Sequence, residues 1–382
     1  MKILLCPDSF KGTLSSREVA DAMEIGVRNV VPDAEVVKVE IGDGGEGTVE
    51  ALVRSLRSRG AEIERIDSRV CDPLGREIIA PYYIEGEKAY IEIASASGLT
   101  LISPEERDVM RADTRGTGQQ IADAYDRGCR EFVIALGGSA TCDGGKGIYD
   151  ELKALHGSIW AGKPGVLMSD CRFRLLCDVR NPMCGPSGAA AVFAPQKGAT
   201  KEQVKLLEER LLQLSQEYSS IQNIDVRAAS YAGAAGGIAG MFLACCNALA
   251  CDGIDYLLSA VDFSGQLKNC DLVITGEGCI DATTLHGKAI SGILHAAASA
   301  GVPAAIVAGR ANLSPSDLSP IGLHNADISP ADSSHIDSSS LLVIEQATPS
   351  GISLSDPHHW ASFVTDATVR LLNHLGGVKF VE

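Results

Sequence analysis

The chain has 382 residues with a formal net charge of −16, and aromatic residues make up only 5% of it. An acidic balance repels polyanions, and so few aromatics leave little surface for stacking bases, so no nucleic-acid partner is expected. At roughly 100–200 residues per domain, the length favours two domains over one.

The twelve cysteines show no C-x-x-C and no metal-ligand spacing, and the opening MKILLC is too short an apolar run for a signal peptide. Reduced thiols and a cytoplasmic location are therefore expected. Residues 231–251 carry no charge and have the length of a membrane span. They are dominated by Gly and Ala and lack basic flanks, which favours a buried glycine-rich loop running into a core helix, with no membrane partner.

In chain order, KILLC (2–6) reads as a buried parallel strand. A helix over 16–30 follows, with Val19, Met23, Val27 and Val30 at helical spacing, Ser15 or Ser16 as N-cap and Glu18 in its first turn. AEVVKVEI (34–41) is a second strand and EGTVEALVRSL (46–56) a second helix, so two β-loop-α units in succession predict a parallel sheet. Residues 61–99 then read as strands and turns without a helix, a change of pattern that marks another domain or a β-rich insertion. Helix–strand alternation resumes with TGQQIADAYDRG (117–128) and EFVIALGG (131–138), and KEQVKLLEERLLQLSQEY (201–218) is a helix exposed by its charges. NCDLVITGEG (269–278) reads as an apolar strand followed by a glycine turn. A helix ending at Gly301 as its C-cap, a strand VPAAIVAG (302–309), a polar Ser/Pro/Asp-rich loop (312–340) and a last helix (356–375) complete the chain.

Four segments share one form, an apolar strand followed by glycines mixed with Asp, Glu, Ser, Thr or Lys. They contain Asp8, Ser9 and Lys11; Asp43 and Glu46; Ser139, Thr141 and Asp143; and Glu277, Asp281 and Lys288. In parallel α/β sheets such loops gather at the carboxyl ends of the strands, where ligands bind. Gly42, Gly44 and Gly47 also spell G-x-G-x-x-G, which would suit a dinucleotide. Asp43 and Glu46 inside that loop repel a bare pyrophosphate, so a magnesium-and-phosphate loop is the better reading. No Gly-Lys is followed by Ser or Thr, so no Walker A loop is present, and zinc-site or serine-hydrolase motifs are absent too.

Six ordered segments resemble the bacterial glycerate kinase family, the type that forms 2-phosphoglycerate: PDSFKGTLSS, GDGGEGT, GGSATCDGG, CDVRNPMCGPSGAAAVFAPQKGA, GAAGGIAG and ITGEGCID…T…GK. The resemblance spans roughly residues 1 to 310. It implies ATP, a divalent metal taken as Mg²⁺, and D-glycerate as phosphoryl acceptor. It also implies two α/β domains with the site in the cleft between them: a Rossmann-like parallel-sheet domain from 1–66 and 266–382, and a second α/β domain from 67–265. A monomer or homodimer is expected.

On that resemblance Lys11 meets the phosphates, and Asp43 and Glu46 hold the metal. Ser9, Gly44, Gly45, Gly276, Glu277 and Lys288 surround the nucleotide. Gly137, Gly138, Ser139 and Thr141 hold phosphate or the glycerate carboxylate, and Arg115 is a further candidate for that carboxylate. Asp8, Asp143, Asp178 and Asp281 remain open as acceptors of the hydroxyl proton. The chain departs from its relatives at Cys142, where Asn is usual, and at Cys279, where Arg is usual. It is also shorter over 147–176 and longer over 312–340. A sensor of the same fold that has lost turnover, or a dinucleotide-dependent oxidoreductase, are the alternatives.

Overall fold

The computed structural model describes residues 1–10, 13–42, 47–156, 166–281, 284, 289–313, 324–325, 341–348 and 359–375. Two compact units form: Met1–Asp43 with Arg54–Leu56 and Leu257–Glu382, and Gly44–Val53 with Arg57–Tyr256. The strands among the described residues are β1 (Lys2–Leu5), β2 (Glu35–Lys38), β3 (Glu64–Cys71), β4 (Glu77–Glu85), β5 (Lys88–Glu92), β6 (Glu131–Ala135), β7 (Arg172–Cys177), β8 (Leu249–Asp252), β9 (Leu272–Ile280), β10 (Ala304–Ala311), β11 (His324–Asn325) and β12 (Leu341–Gln346).

In the first unit six strands pair in the order β11-β12-β10-β9-β1-β2, every pair parallel. The apolar run of β1 lies inside this sheet, and Ile3, Leu4, Leu5 and Cys6 have no exposed surface, so both faces are covered. The helix Ser16–Val30 starts in a capping box. The Glu18 N–H donates to Ser15 Oγ, and the Ser15 N–H donates to Glu18 Oε2 at 2.8 Å. Such a cap contributes about 1 kcal/mol. Its Val19, Met23 and Val27 pack with Leu5 and Ile274 of the sheet and with Val364 and Leu371 of the helix Trp360–Leu375. A left-handed Gly301 (φ 67°) closes the helix Ala289–Ser299.

One expectation changes here. The glycines of TGEG do not form a turn; β9 runs on through them to Ile280, in register with β10 as far as Ala311. The reason is close backbone approach. A Cβ on Gly276 would lie 2.2 Å from the carbonyl oxygen of Val307 on β10, so glycine keeps the strand paired where a side chain would part it.

The second unit is also α/β, with strand order β3-β4-β5-β6-β7-β8. β3, β4 and β5 pair antiparallel, and β5 through β8 parallel. One face carries Phe132, Ile134, Phe173 and Leu175, with Phe132 and Phe173 stacked at 4.9 Å. Against it pack Ile121 of the helix Arg115–Asp126, Ile148 of Lys146–His156, Leu211 of Lys201–Gln222 and Phe242 of Ala234–Cys245. Burying each such side chain stabilises the fold by about 1.5–3 kcal/mol. The stretch read as helix-free contains one helical turn, Ala94–Ser97, where Ser95 Oγ donates to the Glu92 carbonyl and the Ser97 N–H to that of Ile93. The uncharged stretch is buried as the helix Ala234–Cys245, and among the described residues no helix is long and apolar enough to cross a membrane. None of the twelve cysteines is in a disulfide.

Gly276→Ala should force β9 away from β10 and lower stability by about 1–3 kcal/mol. A urea titration reads this as a lower midpoint at constant slope; an unchanged midpoint would contradict the close approach.

Candidate functional site

In the first unit, β1 and β9 end side by side and bring together residues far apart in sequence. The Asp8 N–H donates to the Gly276 carbonyl at 2.8 Å, and the Ser9 N–H to Asp8 Oδ1 at 2.6 Å. Glu277 accepts from the Thr284 hydroxyl, which in turn accepts from the Asp281 N–H at 3.1 Å. Asp8 and Glu277 are both buried, so this strand edge holds acidic groups close to apolar core. The sequence-predicted Asp8, Ser9, Gly276, Glu277 and Asp281 thus share one edge of one sheet. Cys279 is exposed, and Asn312 Nδ2 donates to its sulfur at 3.5 Å. Lys11, Asp43, Gly44, Gly45, Glu46 and Lys288 lie outside the described residues, and among those described no cluster of His, Cys, Asp or Glu is arranged to hold a metal.

In the second unit, the loops after β6 and β7 form a recess of 280 Å³. Its walls include Gly137, Gly138 and Ser139 from the first loop, Asp178 from the second, and Gln196 and Lys197 from the single turn Pro195–Lys197. Gly138 is left-handed (φ 75°), and its carbonyl accepts from the Leu99 N–H while the Ala140 N–H donates to Ser97. These two bonds fix the loop to the neighbouring chain. They leave the N–H groups of Gly137 and Gly138 without a protein acceptor among the described residues.

Lys197 is 4% exposed, although it is the only charged residue of AAAVFAPQKGA. Its Nζ donates to Ser139 Oγ at 2.8 Å and to the Thr141 carbonyl at 2.7 Å. Burial in the apolar wall pulls the ammonium down to about 8, against the weaker upward pull of Cys142 and Asp143. On sequence alone Lys197 is, like Lys11 and Lys288, a glycine-adjacent candidate cation for phosphate. Nothing there shows that it is buried beyond its being a solitary charge within an apolar tract, which buries if the tract does.

Asp143 is half-buried and holds the same loop from the other side. Its Oδ2 accepts from Thr114 Oγ1 at 2.7 Å and from the Thr114 and Gly147 N–H groups at 3.1 Å, and its Oδ1 accepts from the Gly145 N–H at 3.1 Å. Desolvation pushes this carboxyl above its usual range, and the four hydrogen bonds pull it back in part. Such a carboxylate ties the loop to the start of the helix Arg115–Asp126. Behind it, Ala235, Gly236 and Gly237 are left-handed in succession and break the start of the helix Ala234–Cys245. Gly236 (φ 72°) permits this, since a Cβ there would lie 2.1 Å from the Thr141 carbonyl.

Of the expected acceptor-binding residues, the structure brings Gly137, Gly138 and Ser139 to one recess. Thr141 contributes its carbonyl to Lys197, and its hydroxyl is buried without a partner among the described residues. Arg115 does not line the recess; its guanidinium faces Glu151 at 3.6 Å. Of the four expected carboxylates, Asp178 alone lines this recess. Cys142 is buried beneath the loop, and its thiol is pushed up to about 11 by burial, so it stays protonated at neutral pH.

Two α/β units place polar loops at the carboxyl ends of parallel strands, where small-molecule ligands bind in such folds, and one loop is backed by a buried lysine. The chain belongs to the glycerate kinase family: the model described as "Glycerate kinase family" matches residues 3–159 and 162–338. The chain is similar to the glycerate 2-kinase of Escherichia coli K12, 38% identical over 317 residues that cover 78% of this chain and 82% of that one. It is also similar to the glycerate kinase of Bacillus subtilis 168, 40% identical over 332 residues covering 81% and 85%. A crystal structure from Salmonella typhimurium LT2, described as "putative glycerate kinase 2", superimposes with a TM-score of 0.76 at 32% identity, covering 98% of each chain. The sensor and oxidoreductase readings find no support among these relatives.

Asp143→Asn turns one acceptor oxygen into an amide that opposes the surrounding N–H and hydroxyl donors. It should cost about 1–3 kcal/mol of stability, read from its denaturant midpoint. Unchanged stability together with collapsed turnover would instead make Asp143 a proton acceptor.

Proposed function

We propose that the chain transfers the γ-phosphoryl group of ATP to the 2-hydroxyl of D-glycerate, releasing ADP and 2-phosphoglycerate. The observation that carries this reading is the small recess of the second unit, in which backbone N–H groups, a buried lysine and a carboxylate line one space of suitable size. Phosphoryl transfer depends mainly on positioning and charge neutralisation rather than on a covalent enzyme group, and this donor set suits that demand. The names of the relatives agree with it.

The residues take the following roles. Gly137, Gly138 and Ser139 orient the acceptor. Asp178, on the recess wall, accepts the proton of the attacking hydroxyl, and Asp143 serves as the loop's tether. Lys11 and Lys288 neutralise phosphate oxygens, and Ser9, Gly44, Gly45, Gly276 and Glu277 surround the nucleotide. Asp43 and Glu46 supply oxygen donors of the kind a hard cation takes, and fit Mg²⁺ on that ground. When bound, the ion neutralises charge on the β- and γ-phosphates.

The test is a coupled ADP-release assay with Mg²⁺ across D-glycerate, lactate, tartronate and glycolate, with the product identified by ³¹P NMR. D-glycerate should be the best acceptor and 2-phosphoglycerate the product. No ADP release with glycerate, or a phosphate on the 3-hydroxyl, would contradict the reading.

A further inference from the structure

A buried ammonium is costly to desolvate unless a charge or several acceptors compensate it. Lys197 has only two neutral acceptors, Ser139 Oγ and the Thr141 carbonyl, and among the described residues no carboxylate lies within ion-pairing distance of its Nζ. An ammonium has three protons. Two are used, and the side chain lines the recess where the Gly137 and Gly138 N–H groups also lack acceptors. Two backbone donors and a buried ammonium thus line one small space, and among the described residues no ion-pair partner holds that ammonium.

We propose that Lys197, together with the Gly137 and Gly138 N–H groups, binds the carboxylate of the acceptor and so selects hydroxy acids over neutral polyols. This rests on the kinase reading for the identity of the acceptor. A singly charged carboxylate suits the site better than a phosphate dianion. The recess is also lined by Asp178, a carboxylate that opposes a second negative charge, and a single lysine balances one. The wall also determines what discriminates. Glycerol or an amide offers no anion, so binding it leaves the buried ammonium uncompensated.

The charged and titratable groups facing Lys197 are Cys142 and Asp143 from the loop after β6 and Asp178 from the loop after β7. The Cys142 thiol remains neutral until about 11, so it does not titrate in the range that matters. The lysine, held near 8, is charged below that pH and neutral above it. Carboxylate binding is accordingly present at neutral pH and lost as pH rises through about 8. Glycerate itself stays ionised throughout, since carboxylic acids titrate at about 4.

The test is isothermal titration of the full chain with D-glycerate and with glyceramide, at about pH 7 and about pH 9. Wild-type protein should bind D-glycerate about tenfold more weakly at the higher pH, with glyceramide weak and insensitive to pH. Lys197→Met should weaken D-glycerate by about 10–100-fold at pH 7 and abolish the pH dependence, with ATP binding unchanged. A folded variant with wild-type affinity for D-glycerate, or with the pH dependence retained, would overturn the assignment. If the variant does not fold, the wild-type pH dependence decides alone, and its absence overturns the assignment. Wild-type protein that binds D-glycerate in this pH-dependent way but releases no ADP would overturn the kinase reading and leave Lys197 in place. Wild-type protein that binds no D-glycerate would overturn both.

Discussion

A lysine ammonium buried between a serine hydroxyl and a backbone carbonyl is the constraint on which the second unit's site depends. Hydrogen bonds to a charged donor in a low-dielectric interior are strong, and they lock the loop that carries Ser139 and Thr141. The rest of the local structure accommodates that loop. Asp143 ties its far end to Thr114, and the left-handed run Ala235–Gly237 lets a helix start against its back. Gly137 and Gly138 of that loop line the recess, and among the described residues their N–H groups have no protein acceptor. Rigid donors of this kind would need little reorganisation on meeting an anion, as the proposed acceptor role requires.

The first unit reaches a polar edge by a different route. Adjacent parallel strands end at the same side, so Asp8 and Gly276 are hydrogen-bonded although 268 residues apart in sequence. The glycines there are fixed by strand pairing: Gly276 leaves space for the Val307 carbonyl, and β9 continues past it to deliver Glu277 and Asp281. Acidic groups at such an edge suit a cation-associated ligand better than a bare phosphate.

Much of this was legible in the sequence wherever one local rule dominated. The period of Val19, Met23 and Val27 and the Ser15–Glu18 box mark the helix Ser16–Val30 because both signals lie within a few residues. The polar glycine loop after β6 was visible because it follows an apolar strand. Less legible were features set by distant partners. TGEG looks like a turn until β10 is known to lie against it. Asp143 reads as one of four equivalent acids, and only its donors, from Thr114 to Gly147, distinguish it as a tether. Arg115 looked like a carboxylate clamp, yet its side chain faces Glu151. Lys197 was legible as a glycine-adjacent cation but not as a buried one, because burial of a charge is a property of the assembled wall, not of its neighbours in sequence.

The proposed selectivity depends on where the acceptor's carboxylate sits. A crystal structure of the protein with D-glycerate answers this most directly. The carboxylate should lie within hydrogen-bonding distance of Lys197 Nζ and of the Gly137 and Gly138 N–H groups, with a hydroxyl toward Asp178. A D-glycerate molecule bound elsewhere, on the Arg115 guanidinium for example, with the recess holding only water, would contradict it.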